Sequence, residues 1–114
     1  MAHPSEHTGP GEPLGDDEAA HLATTMTAFT APSRLRLLFA LVDGEHTVEE
    51  LARRAGLPAT VASQQLRVLR QLHAVAVRRE GRHAHYRLHD HHVADLLAAI
   101  RHHGEHRALA TSAP

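Results

Sequence analysis

The sequence predicts a mainly α chain with one small β-hairpin, and three observations carry that expectation. Successive stretches place apolar residues three and four positions apart, the spacing of one helix face. Gly56 and Pro58 separate a pair of these stretches by a short turn. Two alternating runs, residues 75–79 and 83–88, flank Glu80-Gly81-Arg82 as strands flank a hairpin turn.

Taken in order, residues 1–15 hold Pro4, Gly9, Pro10, Gly11, Pro13 and Gly15 and almost no bulky apolar side chain. They read as a disordered N-terminal arm. A first helix follows from Asp16 to about Thr30, with Asp16, Asp17 and Glu18 in its first turn and Leu22, Met26 and Phe29 as its apolar stripe. Pro32 and Ser33 stop it and start the next, which carries Leu35, Leu38, Leu41 and Val42 and ends near Gly44.

Thr47-Val48-Glu49-Glu50 has the form of a capping box, with Glu50 three residues after the cap. It opens a short helix through Leu51 and Ala55 that Gly56 stops. Pro58 starts another, running to about Leu72 with Val61, Leu66, Leu69 and Leu72 inward. Two helices joined this way form a helix-turn-helix. Thr60, Ser63, Gln64, Gln65 and Arg67 are then polar residues on the outer face of the second helix, types that bond base edges and phosphates. Ordinary solvated helix surface is the plain alternative. In the hairpin, alternation turns Val75, Val77, Tyr86 and Leu88 inward and leaves Arg78, Arg79 and Arg82 near the tip, where a basic wing grips DNA backbone or minor groove.

Composition points the same way. All 12 basic residues are arginine, and the formal net charge is −1. Arg53, Arg54, Arg67, Arg70, Arg78, Arg79, Arg82 and Arg87 share their stretch with one acid, Glu80, whereas most of the 13 acids lie in the first 50 residues. A local positive excess in a neutral chain is the footprint of a polyanion-binding face. The chain has no cysteine, which excludes disulfides and thiolate metal sites. No stretch approaches the ~18 apolar residues of a membrane span, and the start lacks a secretion signal. A cytoplasmic chain without membrane contact is expected.

The last helix, beginning near Asp90, carries Val93, Leu96, Leu97 and Ile100 on one stripe. Asp90 stands at the N-cap position. His92, His103 and His106 fall within roughly 60° of one another at about 100° per residue. Along the axis His92 and His103 are about 16 Å apart, a gap that metal bonds of about 2 Å cannot bridge. One chain therefore cannot close a site. An antiparallel copy brings its His103 and His106 beside Asp90 and His92, with small Ala98 and Ala99 at the crossing. A two-fold dimer through the terminal helices, with two shared metal sites, follows as the expectation. Against it stand a simple helix cap at Asp90 and the chance clustering of solvated histidines in a chain that has 13 of them.

The arm adds His3. With Met1 removed, the Ala2 amine and the His3 ring chelate together; with Met1 kept, the start has the X-X-His form suited to nickel or copper.

Residues 31–38, 48–52, 62–69 and 78–86 together resemble the ArsR/SmtB family of winged-helix metal sensors. The resemblance covers roughly residues 16–106. It implies a winged helix-turn-helix dimer that binds palindromic double-stranded DNA operators and usually releases them on binding metal. The run D-x-H-x10-H-x2-H, here Asp90, His92, His103 and His106, is similar to the interfacial helix site of that family's zinc and nickel/cobalt branches. The start Ala2-His3 is similar to the nickel/cobalt branch, whose arm supplies further ligands. Ni(II) is thus the expected ion, with Co(II) or Zn(II) as alternatives. Three departures stand out: His73 where members often have glycine, Gln64 where histidine is common, and His91 and His102 as rival ligands.

The expected organisation is a disordered arm over 1–15, a winged helix-turn-helix DNA-binding and metal-sensing domain over 16–107, and a flexible tail over 108–114. The expected function is metal-responsive transcriptional regulation. The alternatives are a metal-independent winged-helix regulator controlled by a partner protein, and a histidine metalloenzyme. An enzyme is not expected, because no base, nucleophile and open metal position come together in the pattern.

Overall fold

A computed structural model describes residues 11–112, with side chains described as far as Arg107. Its elements are α1 (Asp16–Met26), a 3-10 turn (Thr27–Phe29), α2 (Pro32–Ala40), β1 (His46–Thr47), α3 (Val48–Ala55), α4 (Ala59–Gln71), β2 (Val75–Glu80), β3 (His83–Leu88) and α5 (His91–Ser112). The expected mainly α fold with one basic hairpin is the observed one.

The first helix ends earlier than its apolar spacing suggests. Thr24 and Thr25 donate their hydroxyls to the carbonyls of Ala20 and His21, each at 3.1 Å, and Thr27 donates to Thr24 O. Such back-bonding competes with the helical ladder, and the chain tightens into the 3-10 turn. Ala28 is buried and Phe29 packs on the core, but Leu22 and Met26 stay exposed. Among the described residues nothing covers Leu22 and Met26.

Pro32 occupies the first turn of α2, where its missing N–H costs nothing. Leu37 and Leu38 are fully buried and Leu35 packs against them, whereas Val42 lies past the helix end and is exposed. Leu37, not Val42, is the inward residue, because the helix closes at Ala40 and the following turn rotates Val42 outward.

The capping box forms in full. Glu50 N–H donates to Thr47 Oγ1 at 3.3 Å, and Thr47 N–H donates to Glu50 Oε1 at 2.9 Å. Gly56 then closes α3 with φ of 67°, a left-handed value that favours glycine. Leu51 and Ala55 of α3 meet Ala62, Leu66 and Leu69 of α4 in the core, with Leu37, Leu38 and Leu41 beneath them.

The hairpin has Val75 opposite Leu88 and Val77 opposite Tyr86, so these four share the inward face, as alternation requires. Strand β2 runs through Glu80, and the turn contracts to Gly81-Arg82. Gly81 has φ of 60° and Arg82 does not, the sign pattern of a II′ turn. Strand β1 is an addition that the sequence does not announce. It pairs antiparallel with β3, His46 opposite Tyr86 and Thr47 opposite His85, giving the sheet order β1-β3-β2.

The last helix runs on to Ser112, past the boundary expected at residue 107, through the helix-forming run 108–110. It seats Leu97 fully in the core with Val93 beside it, and Arg101 lies over the Phe39 ring at 5.0 Å. No helix among the described residues is long and apolar enough to cross a membrane.

Candidate nucleic-acid interface and metal centre

Helix α4 is held by its apolar face, which leaves its first two turns to present polar side chains. Thr60, Gln64 and Arg67 are exposed, while Ser63 and Gln65 are half-buried. Gln65 does not simply face outward. Its Oε1 accepts from Arg34 Nε at 2.9 Å, and Arg34 also donates to Thr27 O at 2.9 Å. Arg34 thereby ties α4 to α2 and to the 3-10 turn, a positioning role that no local pattern signals.

The wing arginines differ among themselves. Arg78 donates to Glu45 at 3.0 Å and to Glu80 at 2.8 Å. Those bonds raise its pKa above the ordinary guanidinium range and lower both carboxyl groups, chiefly through the hydrogen bonds themselves. Its charge is already compensated by two carboxylates, although its side chain stays half exposed. Arg79 and Arg82 are exposed and have no hydrogen-bond or ion-pair partner among the described residues. Arg54 is likewise taken up by Asp43 at 2.8 Å. Asp43 and Glu45 thus reach the basic stretch from outside it and trim the expected positive excess.

At the N-terminus of α5, Asp90 is the cap. Its Oδ1 accepts from the backbone N–H of His92 at 3.0 Å and of Val93 at 3.3 Å. Its Oδ2 lies 3.3 Å from His89 Nδ1. The His89 contact is the main reason its carboxyl stays below the ordinary range, with the capping N–H groups adding to it. The His92 side chain is 78% exposed and Oδ1 sits 3.6 Å from its Nδ1. At the other end of the helix, His102 and His106 bring their ring centroids within 4.4 Å, and His103 is exposed nearby. The pair that meets is thus the i, i+4 pair, not the i, i+3 pair of the spaced motif. No group of three or more His, Asp or Glu among the described residues is gathered tightly enough to hold a metal. Ala98 and Ala99 are exposed, and Ala98 borders an open cleft of about 350 Å3 with Phe39, Val42 and Arg101. Ala2 and His3 lie outside the described residues.

Three helices bracketing a helix-turn-helix and a short basic wing define a class, the winged helix-turn-helix regulators of transcription. Residues 31–75 match the family described as "Bacterial regulatory protein, arsR family". The chain is 43% identical over 103 residues to the HTH-type transcriptional regulator NmtR of Mycobacterium tuberculosis, covering 90% of this chain and 86% of that one. A solution structure of apo-NmtR superimposes with a TM-score of 0.68 at 42% identity, over 88% of this chain and 84% of that one. The homodimeric winged helix-turn-helix DNA-binding domain from Mycobacterium bovis gives a TM-score of 0.76 at 29% identity, over 93% and 99%. The chain belongs to the ArsR family of bacterial transcriptional regulators. Its curated relatives are named as regulators, not as enzymes.

Proposed function

We propose that this chain is a homodimeric regulator that binds a double-stranded, palindromic operator and changes its operator affinity when Ni(II) binds between the two α5 helices. Asp90 and His92 of one protomer and His103 and His106 of the other are the ligands, twice per dimer. The observation that carries the reading is the Asp90 cap. It holds a carboxylate and the adjoining exposed His92 at one end of a helix whose other end carries the remaining imidazoles. One carboxylate and three imidazoles suit nickel, cobalt or zinc. The uncovered Ala98–Ala99 face and the exposed α1 stripe supply the surface for a second copy. The M. bovis neighbour is itself homodimeric. The Ala2 amine and His3 raise the donor number toward what nickel accepts, and so favour it over Co(II) or Zn(II).

Thr60, Ser63, Gln64 and Arg67 read and grip the major groove, with Gln65 as a partly committed neighbour, and Arg79 and Arg82 hold backbone phosphate. Arg78 braces the wing. The relatives' names offer no support for control by a separate partner protein. Operator binding measured with and without each metal, beside the mass of the assembly in solution, tests the reading. Metal-insensitive DNA binding by a dimer would sink the sensing role and leave the DNA-binding one.

A further inference from the structure

The junction between α4 and the wing holds two histidines that neither DNA reading nor the α5 site uses. His73 and His89 place their ring centroids 5.9 Å apart with planes at 84°. The backbone sets that approach: His89 N–H donates to Ala74 O at 3.0 Å, so the residue after His73 is bonded directly to His89. His73 itself adopts φ of 59°, a left-handed value uncommon for a side chain of its size. It closes α4 by donating to Arg70 O at 3.1 Å, while Ala74 donates to Leu69 O at 2.9 Å, the double bond of a Schellman cap. Glycine is the usual residue there, so an imidazole held in that conformation directs attention to function.

We propose that His73 and His89 form a two-imidazole site for a borderline divalent cation such as Zn(II), within one chain and with ligands that the inter-subunit site does not use. Two imidazoles sharing an ion at about 2 Å stand with ring centroids roughly 5–6 Å apart, the separation observed. Asp90 Oδ2, 3.3 Å from His89 Nδ1, accepts its N–H and leaves the Nε2 lone pair for the ion. The Arg87 guanidinium bonds the carbonyl oxygens of Leu88 and His89 beside the pair. Both histidines are exposed, so water completes the coordination and the site is weak and exchangeable. A bound ion joins the C-terminal end of the recognition helix to the exit of the wing.

The test is side-chain 15N NMR of the full chain titrated with Zn(II) alone. The ring nitrogens of His73 and His89 should shift together. His73→Gly, which suits the left-handed backbone, should abolish the His89 shift, and His89→Gln should abolish that of His73. Both shifts should persist in a His92→Ala, His103→Ala variant. Unmoved rings, a His89 shift that survives His73→Gly, or loss of both shifts in the α5 variant would each overturn the proposal. The inter-subunit site reports through His92, His103 and His106, so failure of one assignment is distinguishable from failure of the other.

Discussion

Arg34 donates through Nε to Gln65 Oε1 at 2.9 Å, across 31 residues of sequence, and so fixes one of two adjacent glutamines. Gln64, its exposed neighbour, is the one proposed to contact bases. Gln64→Ala is expected to relax sequence preference by about 1–3 kcal/mol at one base pair. Gln65→Ala is expected to leave preference intact and lower the thermal midpoint. Operators with single base substitutions, titrated against both variants, decide between them. Equal loss of discrimination in the two would refute the assignment.

Salt dependence should rank the wing arginines. Arg79→Ala or Arg82→Ala should each lower the slope of log K against log salt by about 0.9, the value for one phosphate contact. Arg78→Ala should change that slope less, because Glu45 and Glu80 already hold its guanidinium. It should instead loosen the wing, seen as faster amide exchange in β2 and β3. The idea fails if Arg78→Ala has the steepest effect on the slope.

The capping box predicts a pH response. The Thr47 backbone N–H, followed by its hydroxyl, holds the Glu50 carboxyl below its ordinary value of 4.5. A carboxyl with a lowered folded pKa contributes stability that is present above pH 4.5 and lost as pH falls through the folded pKa. Urea unfolding from pH 7 down to pH 3 should show that loss in the parent chain and a smaller one in Glu50→Gln. Thr47→Ala should cost about 1 kcal/mol at neutral pH. A Glu50→Gln profile matching that of the parent would count against it.

For the inter-subunit site, His92→Ala or His103→Ala should abolish tight Ni(II) binding in both sites while the dimer persists. Calorimetry with sedimentation reads both quantities. His102→Ala is the informative control, since His102 is the ring that meets His106. If His102→Ala loses the metal and His103→Ala keeps it, the ligand pair is the i, i+4 one. Removal of residues 1–7 should weaken Ni(II) while sparing Zn(II), because four donors already suit tetrahedral zinc.

What could be read in advance was local. The Thr47–Glu50 box, the Gly56 stop, the alternation that pairs Val77 with Tyr86, and the Asp90 cap all lie within a few residues of their partners or follow a fixed period. What escaped was long-range or conformational. Glu45 reaches Arg78 across 33 residues, and β1 is two residues long, too short for any periodicity. The exposure of Leu22 and Met26 depends on what covers α1, which helical spacing does not encode. The meeting of His102 with His106 depends on side-chain rotamers, which spacing constrains only loosely.

Strand β1 pairs His46 and the α3 cap residue Thr47 with β3, so helix-turn-helix and wing are stitched into one tool. Such a tool cannot easily be reshaped from a distance; it can be carried nearer to or farther from its twin. In a two-headed assembly, an ion bound at the α5 helices, as the proposed function has it, would act as the screw of a caliper. Its setting is read in base pairs, about 3.4 Å each. Half-sites about one helical turn apart would be accepted or refused on a change of a single base pair in their spacing.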